Sequence, residues 1–141
     1  MPYSHILVAV DLSEDSALLL SKGAALAHAL NAKISLIHID ASYVGLYSGL
    51  SDISVAEAHH RIMEEARHQL VQLAQREGVT ITHSLVGGGD MAKEIIDTIT
   101  DCEIDLVIFG HHQDFWSTLL SSVNHLINNT PVDMLLVPLD N

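Results

Sequence analysis

Five short apolar runs, separated by longer segments of helical period, set out the chain. Ile6 to Val10 is apolar at every position, the pattern of a strand buried on both faces of a parallel sheet. Asp11 follows, and Ser13 can cap a helix in which Glu14 and Asp15 complement the positive end of the dipole. That helix runs to about Leu30, with Leu19, Gly23, Leu26 and Leu30 on one face. Gly23 permits close packing on the sheet, and Asn31 can take the left-handed conformation that ends a helix. Ile34 to Ile39 reads as a second strand, closed by Asp40 as Asp11 closes the first. A surface loop from Ala41 to Ser51 leads to a long helix from about Ser54 to Glu77. There Ile62, Ala66, Leu70 and Leu73 recur at helical spacing, and Gly78 is the stop signal. Ile81 to Val86 alternates with polar residues and suits a sheet edge. After the turn Gly87-Gly88-Gly89, Asp90 can cap a helix with Ala92, Ile95, Ile96 and Ile99 inward. Ile104 to Gly110 is a fourth strand. The polar loop His111-His112-Gln113-Asp114 then precedes an amphipathic helix with Trp116, Leu119, Leu120, Val123 and Ile127. Asn128 to Pro131 breaks that helix, and Met134 to Pro138 is a fifth strand.

Strand and helix thus alternate four times before the last strand. This predicts a single doubly wound α/β domain over residues 1–141, a parallel sheet with right-handed crossovers and helices on both faces. Such sheets bind ligands at the C-terminal ends of strands, where the strand order reverses. The short, wholly apolar first strand belongs at the centre. If the fourth lies beside it, Asp11-Leu12-Ser13 and Gly110 to Phe115 share a crevice.

Composition narrows the partners. Eighteen acidic against six basic residues give a net charge of −12, which repels nucleic-acid phosphates and anionic lipid. Ten histidines offset this only as the pH falls below about 6.5. An apolar fraction of 48% supports a sizeable core. No run approaches the length of a membrane span, and Ile6 to Val10 is too short for a signal-peptide core. The expectation is a soluble, cytoplasmic protein without nucleic-acid or membrane partners. The single cysteine, Cys102, lies between Asp101 and Glu103, neighbours that disfavour a thiolate, so it reads as an inert helix-end residue.

Candidate chemistry is sparse. His111, His112 and Asp114 are metal-ligating types, but adjacent histidines in a strand-to-helix turn point apart, and Asp114 is explained as a helix cap. The triple glycine lacks the lysine and hydroxyl residue of a phosphate loop. Ser13, Ser121 and Ser122 have no Gly-x-Ser-x-Gly setting. Asp11 and Asp40 could pair at adjacent strand ends, yet loop capping explains each equally well. His59 and His60 read as solvated, and His38 as packed or locally hydrogen-bonded. Spacing assembles no nucleophile, base and orienting group. No catalytic residue, metal or cofactor is expected, and the protein is read as not an enzyme.

The last strand carries a different expectation. Met134, Leu135, Leu136, Val137 and Pro138 form the last strand, and a final apolar strand at a sheet edge needs cover. Pairing with the same strand of a second copy provides it and gives a two-fold homodimer. Pro138 limits further strand addition.

Ile6 to Ser16 resembles the opening of universal stress proteins, and Ile34 to Asp40 resembles their second strand. Gly87 to Asp90 is similar to the turn before their third helix. Asp105 to Ser117 closely resembles the family's A subgroup, whose ending Asp133 to Leu139 matches. The resemblance implies a five-stranded parallel sheet in the order 3-2-1-4-5 with two helices on each face, and homodimers paired through the last strands. It also implies a cytoplasmic protein supporting resistance to stress and growth arrest through protein partners that the sequence does not name. The family's ATP-binding branch carries Gly-x-x-Gly and, further on, Gly-Ser or Gly-Thr, so that backbone amides reach the phosphates. Here Gly110 fills the first position, Gln113 stands at the second glycine, and Ser121-Ser122-Val123 occupies the later region. This implies the non-ATP-binding branch. The alternative is an ATP-binding switch using Asp11 and Gly110, with Ser121 and Ser122.

Overall fold

The apolar run at the start of the chain forms β1 (His5–Val10), buried at all six positions. It is the central strand, parallel to β2 (Lys33–Asp40) on one side and β4 (Leu106–His111) on the other. β3 (Ser84–Gly88) lies outside β2, and β5 (Asp133–Pro138) outside β4, giving five parallel strands in the order 3-2-1-4-5. The computed structural model describes residues 3–10, 12, 15–40, 52–88, 91–111 and 132–138. The helix expected over Trp116 to Ile127, the caps at Ser13 and Asp90 and the loop Ala41 to Ser51 lie outside the described residues.

Successive side chains point to opposite faces and divide the core in two. Ile6, Val8, Ile34, Leu36, Ile108 and Val137 face α1 (Ser16–Leu30) and α2 (Asp52–Glu77), against Leu19, Leu20, Ala27, Leu70 and Leu73. Leu7, Ala9, Ile37, Val107 and Phe109 face α3 (Met91–Cys102) through Ile95 and Ile99. Two helices therefore cover one face and α3 the other. The second helix expected beside α3 falls outside the described residues. Among those described, no helix is long and apolar enough to cross a membrane.

Local details depart from the pattern for identifiable reasons. α1 begins at Ser16, later than a cap at Ser13 implies: Leu12 holds a left-handed turn at φ 63°, and Asp15 stands at the N-cap position without a side-chain cap bond. The buried stripe of α1 runs through Ser16, Leu20, Gly23 and Ala27, centred on the close approach at Gly23, so Leu26 and Leu30 are only half-buried. β3 begins at Ser84 instead of Ile81, because the hydroxyl of Ser35 takes the His83 N–H at 3.1 Å and interrupts the ladder. Asn31 at φ 54° and Gly78 at φ 67° end α1 and α2 in the left-handed conformation expected of them.

Glu103 also sits in that region, at φ 56°, exposed just beyond α3. A side chain there costs about 1 kcal/mol, and an acid at a helix C-terminus opposes the dipole. Glycine recovers this at an entropic cost of about 0.5 kcal/mol or more. Glu103→Gly is therefore expected to raise stability by roughly 0.5 kcal/mol, read as a higher urea midpoint at unchanged slope.

Candidate functional site

β1 and β4 bring their C-terminal ends together, as a ligand crevice in this fold requires. Their register runs from Ile6 beside Leu106 to Ala9 beside Phe109, so Gly110 comes level with Val10. Gly110 is buried and pairs with Val137 of β5. Of the sequence candidates for a ligand, Gly110 is thus in place. Asp11, His112, Asp114, Ser121 and Ser122 lie outside the described residues, and the side chains of Asp40, His59 and His111 are likewise outside the description.

Two hollows open beside this end, on the α1 and α2 side. One, of about 510 Å³, is lined by Leu12, Ser16, Gln69, Gln72, Leu73 and Arg76 among others. The second, of about 500 Å³, includes Leu12, His38, Arg61, Ile62, Glu65 and Gln69. They share Leu12 and Gln69 and so form one trough along α2. Arg61, Glu65, Gln69, Gln72 and Arg76 recur at intervals of three and four on one face of that helix. Gln69 Nε2 donates to Glu65 Oε1 at 3.1 Å. The apolar stripe of α2 was legible in the sequence. This polar stripe carries the same period, and reading the helix for its apolar face alone passes over it. His38 Nδ1 donates to the carbonyl of Val10 at 3.0 Å, the local hydrogen bond expected of it. Guanidinium, amide and imidazole groups equip the trough for polar contacts. Among the described residues no three His, Cys, Asp or Glu side chains are placed to hold a metal ion.

The outer edge of β5 is the second feature. The strand pairs with β4 through its full length and has no described neighbour on its other side. Leu135 and Leu136 are 43% and 42% exposed, on opposite faces of the sheet, while Val137 is buried and Met134 half-buried. Tyr3 Oη donates to Asp133 Oδ2 at 2.7 Å and ties the start of the strand to the chain's beginning. That bond to the carboxylate, helped by burial, pushes the phenol pKa up. At the same end of the sheet, opposite the crevice, Cys102 closes α3, half-buried. Burial and then the charge of Asp101 push its thiol pKa up, as its acidic neighbours led us to expect.

Residues 2–138 match the Universal stress protein family. The Universal stress protein A of Salmonella typhimurium is 50% identical over 139 residues, covering 99% of this chain and 96% of that protein. The fold is similar to that of the universal stress protein UspA from Lactobacillus plantarum, with a TM-score of 0.73 at 18% identity, covering 97% of this chain and 99% of that one. It is also similar to a universal stress protein solved in complex with cAMP, with a TM-score of 0.66 at 17% identity and 98% coverage of both chains. A family match across nearly the whole chain, a half-identical relative matched over almost its full length and the 3-2-1-4-5 sheet agree: the chain belongs to the universal stress protein family.

Proposed function

We propose that this chain supports resistance to stress and growth arrest in the cytoplasm as a non-enzymatic homodimer, joined β5 to β5 and acting through protein contacts. The observation that carries the reading is the outer edge of β5, where Leu135 and Leu136 are exposed on a strand with no neighbour among the described residues on that side. The half-identical Universal stress protein A supports the physiological role. Gln113, at the position where ATP-binding members carry a second glycine, supports action without a nucleotide. Survival under starvation tests the reading in a host lacking the gene. Wild type restores survival and Leu136→Asp does not; equal restoration by both removes the dimer from the function.

A second reading, an ATP-binding switch, is favoured by Gly110 standing level with the end of β1. The cAMP complex of a protein of the same fold adds to it. Calorimetry with ATP and magnesium separates the two. Micromolar binding abolished by Asp11→Asn establishes the switch, and no heat at millimolar ATP leaves the first reading.

A further inference from the structure

Five segments converge at the N-terminal end of the sheet, opposite the crevice. His5 opens β1 and is 6% exposed. Its Nδ1 lies 2.9 Å from the carbonyl oxygen of Cys102, at the end of α3. Its Nε2 lies 2.8 Å from the hydroxyl of Ser35 in β2. Ser35 is fully buried, and its Oγ also accepts the N–H of His83, just before β3. Asp105, just before β4, accepts from Ser4 N–H at 2.8 Å, the Ser4 hydroxyl at 2.9 Å and His5 N–H at 3.1 Å.

Donor and acceptor capacity allows one arrangement of protons here. A carbonyl only accepts, so His5 Nδ1 carries hydrogen. The neutral ring then has a bare Nε2, which accepts the Ser35 O–H, and Ser35 Oγ keeps a lone pair for the His83 N–H. A second proton on His5 breaks the pattern. Nε2–H must donate to Ser35, whose own hydrogen then has no acceptor within the network, in a place closed to water, and a rotation of the hydroxyl to find one takes its lone pair off the His83 N–H.

We propose that this cluster is a proton-operated latch: a proton on His5 releases Ser35 from His83 and loosens the lead-in to the edge strand β3, while the centre of the sheet stays closed. The release is local because, among the described strands, β3 pairs with β2 alone. Thr82 N–H to the Ile34 carbonyl and Leu36 N–H to the His83 carbonyl are the backbone bonds next to the break.

The charged and titratable neighbours come from every segment that meets there. The His83 ring centroid is 6.1 Å from that of His5. His83 and Lys33 both oppose a positive charge on His5, and Asp105 favours it. The Asp105 carboxylate is already engaged by three donors, and Cys102 contributes its carbonyl while its thiol stays protonated. Burial is the largest influence on His5. It outweighs the favourable bond to Cys102, and His5 lies below the ordinary imidazole value.

The unfolded chain binds this proton near pH 6.5, and the folded chain only at lower pH. The latch therefore contributes its full stability above about pH 6.5 and loses it as the pH falls from there through the depressed folded value. Asp105 acts in a lower window. Burial raises its pKa, but the bonds from Ser4 and His5 outweigh this and hold it below the usual carboxylate range. Its contribution is present above that range and is lost as the pH falls through the depressed value.

The test is nuclear magnetic resonance of the full-length protein. At about pH 7.5 the imidazole nitrogen shifts should show His5 protonated at Nδ1 and bare at Nε2. On titration to about pH 5, His5 should gain its proton below the free-imidazole value. Exchange of the His83 and Thr82 amides, corrected for intrinsic rate, should accelerate in step by about fivefold or more, and that of Val8 should not. In Ser35→Ala the His83 amide should exchange fast already at neutral pH and show no step. An Nε2–H tautomer, titration at or above the free value, or a His83 amide indifferent to the His5 proton would overturn the latch.

Discussion

Gly23→Val is expected to destabilise the protein by about 3 kcal/mol or more. A Cβ at position 23 would stand 2.8 Å from Val8 Cγ2 and 3.2 Å from Ile34 Cδ1. Val8 is β-branched, fully buried and held in the central strand, which restricts its retreat. α1 must then lift from the sheet and open its contact with Leu36 and Ile108. Gly23→Ala separates the two terms involved. Alanine favours the helix by about 1 kcal/mol, and overpacking costs about 1–3 kcal/mol, so a net loss of roughly 1 kcal/mol is expected. Urea denaturation checks both. An alanine variant more stable than wild type would show that the helix can shift without cost.

What could be read from the sequence follows from the range over which each signal acts. Ile6 to Val10, apolar throughout, identified the central strand, because burial on both faces favours an apolar residue at every position. Asn31 and Gly78 were legible as helix ends because the left-handed conformation is a property of one residue. The latch was not legible. Ser35, a lone hydroxyl in an apolar strand, was the available signal, but its partner His5 is 30 residues away and Cys102 is 97 residues from His5. Periodicity cannot pair residues until the order of the strands is known. The start of β3 failed for the same reason, since Ile81 fits a strand until Ser35 claims the His83 N–H. At the crevice, the position of Gly110 at a strand end could be read from the apolar run that it closes. The places of Arg61 and Arg76 at the trough could not, because they depend on which side of α2 faces it.

The second large effect concerns the edge of β5. Leu136→Asp is expected to turn a dimer into a monomer, weakening association by about a hundredfold or more. The sheet itself constrains how two copies can join. A two-fold axis normal to it keeps the helix-bearing faces on matching sides, so the axis must pass one residue of β5, which then faces its own copy. Leu135 lies on the side of Ile108 and Leu136 on the side of Phe109. With the axis at Leu136, the two copies of that side chain stand about 5 Å apart; with the axis at Leu135 they are diagonal neighbours at no more than about 8 Å. Either way two carboxylates would be forced together in a surface losing its water. The fold of each subunit should survive, since Leu136 is 42% exposed in the single chain.

Sedimentation equilibrium of wild type and Leu136→Asp, across about a hundredfold range of concentration, reads this directly. The account predicts a wild-type dimer at the upper concentrations and a Leu136→Asp monomer with an unchanged circular dichroism spectrum. A wild-type monomer throughout, or a Leu136→Asp dimer as tight as wild type, would contradict it.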